Sequence, residues 1–471
     1  MFNGYCFDIE ANGLYFQADK VWVVSLRDLD DPEKTMKLNP FKDEQAVSKW
    51  KEWHSQYDNP MIVGHYILGY DSFVCFKLLG IPFTVGKDTM FGVPCRFMDT
   101  LYLSQYLNPD LNGHSLGDWG ERVGASKIDY HAVAKEKGII PPSAKKGDEF
   151  MVYSELMDVY CERDTEVNVK AFYKMWDRFA QYYSCTPDDI PAHFKCGQKA
   201  HYLMSCQEFT GWKFDIELGL KVQAKIQDMM AEIESNVLPK LPPRGLKKGE
   251  QKEYTMPAKP FKKDGTFSSH MVNFIEKHGG VVLDSGKVSF YGKEYDVVGG
   301  TMLDVEVKME IKDSDDLKDW FRASGWVPTL FNFKRGPDGK PERDAKGQLI
   351  KTSPKIQEAG KLCPNLEKLD GDLPKQIVKF LSLRNRLSVL TSWLENPRLK
   401  MDGRLSPRRT GIAATHRQKH AEIVNVPKAS DKVLLGKEFR SLFIAEEGMM
   451  IAAGDAAALE GRVQGHYVWR Y

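Results

Sequence analysis

Two carboxylates two residues apart, Asp8 and Glu10, close the run Tyr5-Cys6-Phe7-Asp8-Ile9-Glu10. Apolar, β-favouring residues alternate with them, and on a strand the side chains at i and i+2 emerge on one face. Paired hard oxygens on one face suit a divalent cation such as Mg²⁺ or Mn²⁺. The same spacing is also that of a solvated strand face, so the pair needs further acids to make a site. Asn12-Gly13 turns the chain before a second expected strand, Val21-Trp22-Val23-Val24-Ser25-Leu26, which puts the pair at a strand end beside a hairpin.

Two more acids are spaced to join them. Met61-Ile62-Val63-Gly64-His65 reads as a buried strand, and Gly69-Tyr70-Asp71-Ser72-Phe73 then opens a helix running through Phe76, Leu78 and Leu79 to a Gly80 C-cap. Asp71 is therefore at a helix start just beyond a strand, although a plain N-cap role for Asp71 or Ser72 also explains it. Between Ser154 and Trp176, Met157, Tyr160, Asp164, Val167 and Ala171 recur at spacings of three and four and share one helical stripe. A carboxylate in an apolar stripe costs several kcal/mol unless it faces a cation. Asp164 thus requires a metal, or a structural salt bridge from Arg163 or Arg178. Tyr160, one turn earlier, points to the same place.

These residues sit in a chain of 471 residues, long enough for two or three domains. Lys+Arg 66 against Asp+Glu 65 gives no global basic field, so affinity for a polyanion must come from local patches. The eight cysteines are scattered without a Cys-x-x-Cys, which argues for a reducing compartment and against a zinc site or a disulfide scaffold. No apolar run approaches the length of a membrane span, and acids occur within the first ten residues, so a cytoplasmic protein without membrane attachment is expected.

Asp43 to Tyr57 reads as an amphipathic helix, and residues 184–191 as a linker before helices over Phe194 to Phe209 and Asp215 to Leu238. Residues 240–263 carry eight Lys or Arg against two Glu, a basic excursion that is either a solvated loop or a nucleic-acid contact. Short strands are expected at 281–283, 288–291 and 295–298, and a helix from Leu373 to Leu394 carries Arg384 and Arg386. Between Gly403 and Ala421 lie Arg404, Arg408, Arg409, His416, Arg417, Lys419 and His420 with no acid, a strip suited to phosphates or a surface loop. A helix at Lys437 to Phe443 and a strand at Met449 to Ala453 then lead to Gly454-Asp455-Ala456-Ala457-Ala458-Leu459-Glu460-Gly461-Arg462.

In order and local context, Asp8, Glu10, Asp71 and Asp164 with Tyr160 resemble the three exonuclease motifs of the DnaQ-like family, in the variant with Tyr four residues before the last Asp. The resemblance implies an α/β (α+β) fold over residues 1–185, a ribonuclease H-like mixed sheet flanked by helices. It also implies two Mg²⁺ or Mn²⁺ ions. In that family pattern Asp8 would bridge both, Glu10 and Asp164 would bind the nucleophile-side ion, and Asp71 would support the second mainly through water. Tyr160 would orient the attacking water, because an unperturbed pKa of about 10 makes it a poor base at neutral pH.

Gln207-Glu208-Phe209-Thr210-Gly211-Trp212-Lys213-Phe214-Asp215 and Ala323-Ser324-Gly325-Trp326-Val327-Pro328-Thr329 resemble the thumb of family A, polymerase I-like DNA polymerases of the short bacteriophage kind. That implies a mainly helical DNA-binding region over 186–400, with a basic insertion near 240–300. Gly454 to Arg462 resembles the first palm motif, with Asp455 in its metal-binding place and Glu460 in the place that senses the sugar 2′ position, so 401–471 is expected to be an incomplete palm. The cationic strip resembles the segment just upstream, except that the usual Thr-Gly-Arg reads Thr410-Gly411-Ile412.

Arg384, Arg386, Arg404, Arg408, Arg409, Arg417 and Lys419 are the candidate nucleic-acid contacts. The resemblance as a whole implies the proofreading 3′-5′ DNA exonuclease part of such a polymerase. Its partners are a single-stranded 3′ end and primer-template DNA, in a bacterial host's cytoplasm if the chain is phage-encoded. The expected fingers and second palm carboxylate are not in the sequence, so the chain is expected not to polymerise alone and to take a second chain that carries them. A DNA-binding subunit of a split polymerase and a stand-alone 3′-5′ exoribonuclease remain as alternatives.

Overall fold

The computed structural model describes residues 1–85, 87–312, 314–337, 339–358 and 361–469. Arg470 and Tyr471, the end of the expected palm segment, lie outside the described residues. The chain forms two compact units, one of Met1–Asp215 with Asn396–Pro427 and Phe439–Tyr471, the other of Ile216–Glu395 with Lys428–Glu438.

In the first unit β1 (Gly4–Ala11), β2 (Val21–Asp28), β3 (Thr35–Leu38), β4 (Met61–Gly64) and β5 (Arg96–Asp99) form one mixed sheet in the order β3-β2-β1-β4-β5. β2 runs antiparallel to both neighbours, while β1, β4 and β5 are parallel. The period-two alternation of β1 divides its side chains between two cores. Tyr5, Phe7 and Ile9 pack with Trp50 and Trp53 of α1 (Ala46–Ser55) and with Val74 and Cys75 of α2 (Asp71–Leu79). Cys6 packs on the other face with Val63, Met98, Phe172 and Met175. Burying each fully enclosed ring, such as Phe7 or Phe172, stabilises the unit by roughly 1.5–3 kcal/mol. Asp8 and Glu10 share the parity of Cys6, so they face α6 (Glu155–Tyr183), which carries Phe172 and Met175.

α2 ends at Gly80, whose φ of 65° is the left-handed cap expected from the sequence. Its start is fixed by Asp99, a buried carboxylate that accepts hydrogen bonds from the amides of Leu68 (3.0 Å), Tyr66 (3.3 Å) and Tyr102 (3.0 Å). The same residue's amide donates to Gln198 Oε1 (2.8 Å) on α7 (Ala192–Thr210) and its side chain caps α3 (Thr100–Leu107). The Tyr70 hydroxyl donates to the Gly13 carbonyl (2.6 Å), tying the β1–β2 connection to the head of α2.

In the second unit α8 (Ile216–Val237) packs against the helix Asp372–Leu394. Met271, Phe274 and Ile275 cover a three-stranded sheet of Val281–Val282, Val288–Phe290 and Lys293–Tyr295. The third of these strands begins earlier than the expected 295–298. Tyr291 (φ 50°) and Gly292 (φ 78°) form a two-residue hairpin turn that pairs Phe290 with Lys293 and so sets the register.

The expected strand at Met449 to Ala453 is corrected: that stretch is irregular, and Met449 and Met450 are 72% and 87% exposed. A strand needs a neighbour for its ladder of N–H and C=O groups, and among the described residues none pairs with it. No helix of the described residues is long and apolar enough to cross a membrane.

Candidate metal centre

Asp8 and Glu10 sit half-buried on β1 opposite Ser25 and Val23, and the ladder slips between Glu10 and Ala11, a bulge at the edge of the site. Asp71 is the first residue of α2 and is 4% exposed, while Asp164 in the middle of α6 is 3% exposed. The Cys161 thiol, one turn before Asp164, donates to the Asp8 carbonyl (3.5 Å) and approaches Asp8 Oδ2 (3.7 Å). Ligand atoms of Asp8, Glu10 and Cys161 all lie within 4.8 Å of one another. Asp164 Oδ2 is 2.5 Å from Lys127 Nζ, but its buried Oδ1 has no hydrogen-bond partner among the described residues. The Tyr160 ring stacks on Tyr130 at 5.2 Å, with the Lys127 ammonium 4.9 Å from its centre.

The charges of these groups act on one another. Burial, then the charges of Asp164 and Asp71, push the Asp8 carboxyl well above its ordinary range. Burial, then Asp8 and Asp164, do the same to Glu10, and Lys127 opposes the rise at both. Burial pushes Asp71 up to about 7, with backbone hydrogen bonds at Asp71 and Ile9 working against it and Asp99 adding to it. Burial raises Asp164 despite Lys127 beside it. Tyr160 is raised by burial and then by Asp164, Glu10 and Asp8, so its hydroxyl keeps its proton and acts as a donor. Acids buried this close store repulsion that a bound cation would relieve, and their hard oxygens, with one on Asp164 unpartnered among the described residues, fit a divalent ion.

The structure corrects the counter-ion expected for Asp164. Arg163 pairs with Glu166 (2.6 Å), because adjacent helical residues diverge by about 100°, and the ammonium on Asp164 is that of Lys127. Lys127 lies in the irregular connection between α4 (Leu116–Arg122) and α5 (Tyr130–Glu136), where no periodicity marks it. The only sequence signal for it was the need of a buried acid for some cation. Plain capping by Asp71 or Ser72 is not what the helix shows: the N-cap is Tyr70, with no side-chain cap bond, and the buried Ser72 hydroxyl has no partner among the described residues.

The candidate nucleic-acid contacts do not behave alike. Arg384 and Arg386 are half-buried on Asp372–Leu394, and Arg384 donates to the Lys312 carbonyl (3.2 Å). Arg404 pairs with Glu446 and donates to the Gly211 carbonyl. Arg409 is corrected from surface cation to buried brace, with Nη2 on Gln105 Oε1 and Nε on Gln418 Oε1, both at 2.6 Å. Arg408, Arg417 and Lys419 are exposed. Asp455 is exposed in an irregular segment and belongs to no ligand cluster among the described residues. Glu460, on the exposed helix Leu459–Val468, accepts from Arg417 (2.5 Å).

The chain is similar in fold to a solved structure of the POL domain of Pol1 from M. smegmatis, described as a complex with DNA primer-template and dNTP. The TM-score is 0.50 and the identity 12%, over 98% of this chain and 58% of that one. The chain therefore spans less than two thirds of that structure's length. No family model matches the chain, and no curated protein matches it in sequence. At 12% identity the likeness is one of fold, and what it establishes is that this mixed α/β chain is built like part of a DNA polymerase I polymerase domain.

Proposed function

We propose that the chain is a metal-dependent 3′→5′ DNA exonuclease, the proofreading part of a family A, polymerase I-like DNA polymerase. The observation that carries this reading is the convergence of Asp8 and Glu10 from β1, Asp71 from α2 and Asp164 from α6, three elements distant in sequence. The sheet order, with β2 alone reversed, supports a ribonuclease H-like exonuclease domain, and the fold likeness supports the polymerase context.

Two divalent ions would supply an activated water and charge stabilisation for the leaving 3′-oxygen. The chain's own residues do the rest. Asp8, Glu10, Asp71 and Asp164 would hold the ions, and the neutral Tyr160 hydroxyl, kept in place by the stack on Tyr130, positions the attacking water by donating or accepting a hydrogen bond. Purified chain with Mg²⁺ and 5′-labelled single-stranded DNA should release 5′-mononucleotides from the 3′ end. Replacing Asp8 and Glu10 together with Ala should abolish this, and full activity in that variant refutes the site. A preference for labelled RNA would favour an exoribonuclease instead.

A second reading, the DNA-binding subunit of a split polymerase, is favoured by one observation. Met449, Met450, Leu459, Val463, Tyr467 and Trp469 are each exposed along residues 449–469, apolar side chains that a chain bearing fingers and the rest of a palm would cover. Primer extension should then be absent with this chain alone, appear with such a partner, and be lost in Asp455→Ala.

A further inference from the structure

We propose that Lys127 is a tethered counter-ion that holds the place of a metal ion in the metal-free chain and gives it up when the metal binds. The inference rests on the metal-nuclease reading above and adds a residue to it.

Three features separate the Lys127–Asp164 contact from an ordinary buried salt bridge. The first is its reach: the Lys127 charge acts on Asp8, Glu10 and Asp164 together, so it serves the whole acid cluster. The second is its incompleteness. Where this chain builds a structural bridge to a buried carboxylate, at Asp316, both oxygens are taken, Oδ2 by Arg244 Nε (2.7 Å) and Oδ1 by Lys247 Nζ (2.6 Å). At Asp164 the ammonium takes Oδ2 alone, with the Tyr160 hydroxyl as the neighbouring side-chain donor, and the buried Oδ1 has no hydrogen-bond partner among the described residues, an acceptor still open to a second ligand. The third is the mounting. Lys127 rises from an irregular connection and its side chain is 23% exposed, so a four-carbon arm can swing outward without disturbing a helix. The Tyr160 ring, 4.9 Å from the ammonium, offers a second resting surface beside the site.

A monovalent ammonium in contact with Asp164 keeps the acids folded together without a metal, yet a divalent ion competes for the same oxygens with twice the charge. Deleting the ammonium therefore acts oppositely on the two states. The metal-free chain loses the cation that acts on Asp8, Glu10 and Asp164 together, and the metal loses its competitor.

The test is Mn²⁺ binding to the full-length chain by calorimetry, with Mn²⁺ electron paramagnetic resonance as a second readout. Lys127→Met should melt lower in EDTA but bind Mn²⁺ about tenfold or more tightly than wild type. Lys127→Arg, whose fork can take both oxygens of Asp164, should bind Mn²⁺ more weakly than wild type. A merely structural lysine would lower the melting temperature and leave Mn²⁺ affinity unchanged or weaker in Lys127→Met, which overturns the proposal. If Lys127→Met fails to fold, Lys127→Arg decides, and an affinity equal to or above wild type overturns the proposal. Absence of Mn²⁺ binding by wild type overturns the proposal and the metal reading together. Altered affinities in these variants with no metal-dependent cleavage by wild type overturn the nuclease reading alone.

Discussion

Replacing Asp71 with Asn should stabilise the metal-free chain in a pH-dependent way. Asp71 is almost fully buried at the head of α2, and burial lifts its carboxyl from 3.8 to about 7. Its folded pKa lies above its unfolded one, so folding favours the protonated form. The cost of ionisation is absent below about pH 4, grows as pH rises, and is complete above about pH 7. At about 1.4 kcal/mol per pH unit of displacement, the cost is about 2 kcal/mol at pH 5.5 and about 4 kcal/mol at pH 8, as upper figures because the neighbouring acids share it. Asn has nearly the same shape and keeps an acceptor for the backbone hydrogen bonds at Asp71 and Ile9, so it removes the charge while leaving the packing intact. Urea titrations of wild type and Asp71→Asn in EDTA should give matching midpoints near pH 4 and a widening advantage for the variant up to pH 8. The two compact units need separate transitions, and the first unit's is the one to compare. Added Mn²⁺ should reverse the order. A variant that is less stable than wild type at pH 8, or whose advantage does not change with pH, refutes the reasoning.

Tyr160→Phe keeps the ring stacked on Tyr130 but deletes the hydroxyl, so turnover should fall by roughly 10²–10⁴-fold with Mn²⁺ affinity nearly unchanged; unchanged turnover with a collapsed melting temperature would make Tyr160 a packing residue. The Cys161 thiol beside Asp8 and Glu10 should make the centre vulnerable to thiophilic ions. Cd²⁺ is expected to inhibit Mg²⁺-dependent cleavage, and Cys161→Ser to raise the half-inhibiting Cd²⁺ concentration about tenfold. Equal sensitivity in the two proteins would place the Cd²⁺ elsewhere.

The parts of the site that obey a period were legible. Asp8 and Glu10 follow the alternation of a strand, Asp71 follows a strand and opens a capped helix, and Asp164 interrupts an apolar stripe, and the structure puts all four on β1, α2 and α6 in that way. Lys127 could not be read, because a residue in an irregular connection carries no spacing to betray what it touches. Arg163 was the wrong candidate for the same contact, since proximity in sequence is not proximity on a helix surface. Arg409 had the composition of a phosphate contact but is buried with its guanidinium on Gln105 and Gln418, and no local pattern distinguishes a cation that faces out from one that folds under. Met449 to Ala453 has the residues of a strand, but a strand is a property of pairs, and the pair is missing among the described residues.

The centre is assembled from residues roughly 150 positions apart, Asp8 near the start of the chain and Asp164 on a helix made much later. At a synthesis rate of about 5–20 residues per second, the emerging chain displays the β1 pair for on the order of ten seconds before α6 exists. Through that interval Asp8 and Glu10 have no Asp164 to complete them, and Lys127, made before α6, has no Asp164 to pair with. A chain cut before α6 therefore lacks Asp164, and any activity that needs all four acids would wait until α6 had left the ribosome and packed against β1.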